Sequence, residues 1–154
     1  MSRAFVREQD AGFVQDLPDR PVSEHPNDVT ETGMAKIEAA LAEARETHAA
    51  AQASPDRALI AATAREVRYW SARRATARVV DPPADNSNVR FGATVTILRD
   101  DGREQTFRIV GEDEADPAKG SISYISPLAR AMLGKSVGDV VRAGNDQAEI
   151  TSIR

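Results

Sequence analysis

The sequence predicts an α+β protein: an N-terminal antiparallel coiled-coil hairpin, followed by an antiparallel-rich sheet of five short strands with one short helix. Three observations predict it. Apolar or small residues recur at alternating steps of three and four from Met34 to Ala51 and again from Ile60 to Ala77. A Ser-Pro-Asp break separates the two runs, and beyond Pro82-Pro83 the spacing changes to the two-residue alternation of strands. The chain accordingly divides into a flexible N-terminal arm (1–30), the hairpin (31–81) and the sheet domain (82–154).

The arm mixes Pro18, Pro21 and Pro26 with charged residues and shows neither helical nor strand periodicity. Phe5, Val6, Phe13 and Val14 are its candidate docking residues. The first helix carries its seam at Met34, Ile37, Leu41, Ala44, His48 and Ala51, the second at Ile60, Thr63, Val67, Trp70, Arg74 and Ala77. At the break, Ser54 is the expected N-cap, with Pro55 at the first helical position and Asp56 at the positive end of the helix dipole. Arms of about 22 residues reach roughly 33 Å at ~1.5 Å per residue.

In the sheet domain, "TVTIL" and "EQTFRIV" face each other across Asp100-Asp101-Gly102, a tight-turn signal, with Val95, Ile97, Phe107 and Ile109 alternating as one buried face. "SISYI", "DVVRA" and "QAEITSI" supply three further strands. "SPLARAMLG" reads as the short helix, with Ser126 as N-cap, Pro127 first and Gly134 past the end.

Composition narrows the function. The chain has 154 residues, 41% hydrophobic and 29% charged, with four Phe, two Tyr and one Trp, enough for one modest core. A net charge of −4 argues against a general nucleic-acid coat, yet from Arg57 to Arg78 six arginines stand against one glutamate. The absence of cysteine excludes disulfides and thiolate chemistry and fits a reducing, cytoplasmic setting. The opening "MSRAFVREQDAGF" is too polar for a signal peptide, and no membrane association is expected.

Candidate chemistry is sparse. His25 and His48 do not make a metal pair, and His48 belongs to the seam. No phosphate loop or nucleophile elbow is present, so neither a cofactor nor a metal is expected and the protein reads as a non-enzyme. The run "GEDEADPAKG" lacks calcium-loop spacing and reads as a solvated loop, or as an acidic surface offered to a basic partner. Arg65, Arg68 and Arg73 on the second helix form either a solvated face or a contact surface for RNA or a protein.

The second half is recognisable by its phrases. "FGATV", "IVGEDEAD" and "SPLARAMLGKSVGD", in that order within residues 89–141, resemble the C-terminal domain of the bacterial Gre-type transcription elongation factors, and "MSRAF" resembles the start of the GreB branch. The resemblance implies an FKBP-like sheet domain that sits at the rim of RNA polymerase's secondary channel, with the hairpin projecting inward and only indirect contact with nascent RNA. The protein is expected to act as a monomer. It also implies that Ile125, Ser126 and Pro127 touch the polymerase, with Ile125 replacing the family's usual Asp or Asn.

At the hairpin apex, Pro55, Asp56 and Arg57, the family presents two carboxylates that help hold the polymerase's second Mg²⁺. Here the position three after Asp56 is Leu59, and the arms are shorter than the family's. The resemblance therefore implies a regulator that binds the channel without supplying the cleavage acids, and no catalytic residue is assigned. Three alternatives stand beside it: a cleavage-stimulating factor using Asp56 alone, an FKBP-like prolyl isomerase or chaperone drawing on Phe91, Phe107 and Tyr124, and a relative of the short-hairpin regulator of nucleoside diphosphate kinase.

Overall fold

The structure is a computed structural model and describes residues 18–154. Phe5, Val6, Phe13 and Val14 of the arm, and the opening "MSRAF", lie outside the described residues. Element order is β1 (Asp28–Val29), α1 (Glu31–Gln52), α2 (Arg57–Thr76), β2 (Arg78–Val79), β3 (Thr94–Arg99), β4 (Glu104–Val110), β5 (Ser121–Ser123), α3 (Pro127–Met132), β6 (Val140–Ala143) and β7 (Asp146–Ile153). Two units result: a helical unit with residues 36–76 and the described residues 18–24, and a sheet unit with residues 25–35 and 77–154.

In the helical unit the heptad seam forms as its spacing dictates. Ile37, Leu41, Ala44 and Ala51 are buried on α1, opposite buried Thr63 and half-buried Ile60, Val67 and Trp70 on α2. Across it, His48 Nδ1 lies 2.9 Å from Thr63 Oγ1, whose single proton is directed at the carbonyls of Leu59 (2.8 Å) and Ile60 (3.0 Å). The imidazole Nδ1–H is therefore the donor. Two seam positions of α2 differ from expectation: Ala77 lies beyond the end of the helix, and Arg73 is buried (1% exposed), whereas Arg74 is exposed and pairs with Glu38 at 3.0 Å. A step of three after Trp70 replaces a step of four, the drift a 3.6-residue helix shows against a strict heptad.

Residues expected to be a loose arm lie against α2. Arg20 pairs with Glu66 at 2.8 Å, its guanidinium stands 3.7 Å from the centre of the Tyr69 ring, and Asp19 pairs with Arg68 at 2.7 Å.

The sheet unit holds five strands in the order β5-β4-β3-β7-β6. All neighbours are antiparallel except β4 and β5, which run parallel. Val95, Ile97, Ile109, Ile122 and Ile150 from the strands and Ala129 and Met132 from α3 form the core, with Phe107 packed at its margin. The β3–β4 turn closes through Gly102 at φ 86°, a left-handed conformation that favours glycine. Ser126 caps α3 by accepting from the Ala129 N–H at 3.3 Å, Pro127 follows it, and Gly134 beyond the helix has φ 82°.

Sequence periodicity did not reveal a second, two-stranded sheet, in which β1 pairs in parallel with β2 (Asp28 with Arg78, Val29 with Val79). Arg78 N–H donates to the Asn27 carbonyl and Val80 N–H to that of Val29, both at 2.9 Å. Residues 25–30 and 77–81, assigned from the sequence to the arm and the hairpin, thus group with the sheet unit.

Candidate functional site

The apex is built by helix-end chemistry. After α1 ends at Gln52, Ser54 Oγ accepts from the Asp56 N–H at 3.2 Å, and Asp56 Oδ1 accepts from the Leu59 N–H at 3.1 Å while its carbonyl takes the first helical bond from Ile60. Asp56, not Ser54, is therefore the N-cap of α2, and Pro55 stands one residue before the cap. The reason is reach: an aspartate directly before the helix meets the third amide, whereas Ser54 closes the turn. Pro55, Asp56, Arg57 and Leu59 are all exposed, Leu59 at 44%.

Asp56 is the sole acid between Glu46 and Glu66. At ~1.5 Å per residue those two glutamates lie about 15 Å down the helices from the tip. The apex thus offers one carboxylate, already accepting a backbone hydrogen bond, beside an apolar Leu59 and a cationic Arg57.

The three arginines do not form one face. Arg73 is buried, Arg68 is exposed and paired with Asp19, and Arg65 is half-buried. Only Arg68 stays in the exposed contact surface that the sequence suggested.

In the sheet unit, Ile125, Ser126 and Pro127 form the turn entering α3. Ser126 N–H donates to the Ser123 carbonyl at 2.9 Å and Ile125 N–H to Ser123 Oγ at 3.3 Å, so the turn has a defined shape, with Pro127 exposed and Ile125 half-buried. Tyr124, next to it, packs edge-on against Phe91 (5.6 Å between centres), and its hydroxyl donates to the Pro26 carbonyl. Phe107 and Tyr124 both pack on the core, so the aromatic residues an isomerase pocket would need are used in packing.

The acidic run departs most from expectation. Glu114 is 8% exposed, and its carboxylate accepts from the Thr30 N–H (3.0 Å), the Thr30 hydroxyl (2.5 Å) and the Gly111 N–H (3.3 Å). Thr30 is the N-cap of α1, with Oγ1 accepting from the Gly33 N–H at 3.0 Å. A capping box normally takes its second half from a Glu or Gln at the third helical residue. Here that residue is Gly33, and Glu114, 84 residues beyond Thr30, supplies the carboxylate. Gly33 makes the room: a Cβ there would lie 2.0 Å from Glu114 Oε2. Gly111 is equally constrained, since a Cβ would meet the Asp28 carbonyl at 2.6 Å. Glu114 is therefore a structural clasp rather than part of a solvated acidic surface.

Among the described residues no cluster of three or more His, Asp or Glu is placed to hold a metal ion, and no helix is long and apolar enough to cross a membrane.

Comparison with known proteins places this geometry in a family. Residues 84–154, all five strands of the main sheet and α3, match the family model for transcription elongation factor, GreA/GreB, C-term. Transcription elongation factor GreA of Helicobacter pylori is 41% identical over 127 residues, which cover 77% of this chain and 70% of that protein. The chain belongs to the GreA/GreB family. Transcription elongation factor GreB of Neisseria meningitidis, another family member, is 47% identical over 95 residues, 58% of each chain, so this chain matches little more than half of that relative's length. GreA factor homolog 1 of Thermus thermophilus is similar in structure at 18% identity and a TM-score of 0.42, over 84% of this chain and 99% of that one. Within the family match, "IVGEDEAD" contains the clasp and "SPLARAM" the capped turn of α3.

Proposed function

We propose that this GreA/GreB-family protein is a transcription elongation regulator that binds RNA polymerase at the rim of the secondary channel and modulates elongation without supplying the acid pair for RNA cleavage. The observation that carries this reading is the apex: its single carboxylate caps α2, the residue three positions on is Leu59, and the next acids are ten residues away on either side. One bound oxygen pair is a weak holder for Mg²⁺, which takes near-octahedral oxygen coordination. Support for docking comes from the turn at Ile125, Ser126 and Pro127, which the capping of α3 holds in a fixed shape and leaves partly open to a partner.

In this reading the sheet unit docks as a monomer and the tip formed by Pro55, Asp56, Arg57 and Leu59 contacts the channel wall, while the guanidinium of Arg68 is held by Asp19. The test uses purified backtracked elongation complexes and follows the RNA 3′ end. Binding to core polymerase without RNA shortening, together with suppression of cleavage stimulated by an active Gre factor, is the expected result. Stimulated shortening overturns the non-cleaving assignment. No binding at micromolar concentration overturns the polymerase assignment.

A further inference from the structure

We propose that the outward face of α3 extends the docking turn with two cations, Arg130 and Lys135, which meet an acidic surface on the polymerase; this rests on the polymerase reading above and names the chemistry of the surface that receives the turn. The stretch from Pro117 to Gly138 holds Lys119, Arg130 and Lys135 and no acid, in a chain whose net charge is −4. A local excess of one sign steers a charged partner over about a Debye length, ~10 Å at about 0.1 M salt.

Helix geometry decides which side of α3 carries that charge. Ala129 and Met132 are fully buried in the core, which turns Pro127 and Arg130 outward, and both of these are exposed. Arg130 N–H donates to the Ser126 carbonyl at 2.9 Å, so the arginine stands one turn along from the capped turn at Ser126 and Pro127. Gly134, at φ 82°, lies past the end of the helix and redirects the chain. Lys135, also exposed, is fixed there through its backbone: its N–H donates to the Met132 carbonyl at 3.0 Å, and its carbonyl accepts from the Val89 N–H at 2.8 Å.

Both cations are open to a partner. Arg20, Arg68, Arg74, Arg78, Arg90 and Arg103 each pair with a carboxylate, whereas no carboxylate among the described residues lies within ion-pair distance of Arg130 or Lys135. Sites for single-stranded nucleic acid combine such charge with aromatic rings on which bases stack. Tyr124, the aromatic residue next to the turn, is instead edge-on to Phe91, and its hydroxyl donates to the Pro26 carbonyl. The exposed side chains beside the two cations include Pro127 and, beyond Lys135, Val137 at 58%. Apolar contacts with charged groups at their margin are the make-up of a protein interface, and the sign of these charges selects carboxylates as the counterpart.

The experiment follows association of the full-length chain with immobilised core RNA polymerase as salt rises from about 0.05 to about 0.5 M. Arg130→Glu and Lys135→Glu are each expected to weaken binding about tenfold, chiefly by slowing association, and to flatten its salt dependence. Glutamine at either position is expected to give a smaller loss of the same kind. Arg142→Glu, a charge reversal on β6 outside the acid-free stretch, is expected to leave binding unchanged. All these variants are expected to melt within a few degrees of the wild type, which separates a lost contact from a lost fold. Wild-type affinity and salt dependence in both α3 reversals overturn the proposal while leaving the docking turn in place. No binding by the wild type overturns it together with the reading on which it rests. A further arm adds a single-stranded RNA oligonucleotide to the free protein: RNA binding that both α3 reversals abolish also overturns the proposal, and assigns the cations to nucleic acid.

Discussion

The clasp at the start of α1 makes a prediction in which one substitution changes sign with its background. Gly33→Ala should destabilise the wild-type protein and stabilise the Glu114→Ala variant. In the wild type, the new Cβ would fall 2.0 Å from Glu114 Oε2 and 2.5 Å from Cδ, so the carboxylate must withdraw. Withdrawal gives up its bonds to the Thr30 N–H at 3.0 Å and the Thr30 hydroxyl at 2.5 Å. Hydrogen bonds to a charged group contribute about 1.5–3 kcal/mol each, so the loss is on the order of 3 kcal/mol. Against this, alanine is favoured over glycine within a helix by up to about 1 kcal/mol. The net cost is then about 2 kcal/mol, or roughly 4–8 °C in Tm for a protein of this size. With Glu114 already truncated the clash is gone and only the helical preference remains, a gain of up to about 1 kcal/mol. The four proteins form a double-mutant cycle with a coupling of about 3 kcal/mol, measured by urea unfolding followed by circular dichroism. A Gly33→Ala effect of the same sign and size in both backgrounds would refute the capping role of Glu114.

Three further predictions concern the tip, the β3–β4 turn and the core. Asp56→Ala should cost about 1 kcal/mol in thermal unfolding through loss of the α2 cap, whereas Asp56→Asn, an equally good cap, should leave stability unchanged. If Asp56→Asn keeps its stability but loses an effect on elongation, the carboxylate has a role beyond capping. Asp101 accepts from the Arg103 N–H and then from its guanidinium, which hold its carboxyl below the usual value of 3.8. Its stabilising contribution is therefore present above that value and disappears as pH falls through the lower folded-state one. A carboxyl-carbon NMR titration should show this depression, reduced in Arg103→Ala but not abolished because the backbone donor remains. Ile97→Ala, at a fully buried position, should cost about 2–5 kcal/mol in chemical denaturation, while its exposed neighbour Leu98→Ala should cost well under that.

Most of the fold was legible because its elements carry their own period. The seam residues from Ile37 to Ala51, the alternation of Val95, Ile97 and Ile109, and the Ser126-Pro127 helix start each need only neighbours within one or two turns to declare themselves. The β1–β2 pair was not legible for the opposite reason. Each strand has two residues, and they are joined only because the intervening hairpin returns the chain to its starting point. The choice between Arg73 and Arg74 was also beyond pattern reading, since both follow Trp70 at seam-compatible steps and the sequence gives both the same charge.

The two ends of the hairpin use the same device, a carboxylate on the free amides of a helix N-terminus, and differ only in where it comes from. At the tip it is local: Asp56 reaches Leu59 three residues on, so the sequence placed an acid at the helix start and erred only in which residue caps it. At the base it arrives from 84 residues away, and the run around Glu114 looks like any charged loop. A signal was nevertheless present. Thr30 is a good N-cap, yet the third helical position is Gly33, a residue that costs about 1 kcal/mol in a helix and cannot complete the box. A cap with its expected partner missing, and with glycine in that partner's place, points to a carboxylate from elsewhere in the chain. The same logic bears on the tip. A carboxylate bonded to the Leu59 amide is held in the geometry that stabilises α2, so the exposed surface there is dominated by Leu59, Pro55 and Arg57. Such a surface offers apolar and cationic groups beside a carboxylate already engaged by the backbone, which is the feature the proposed non-cleaving reading rests on.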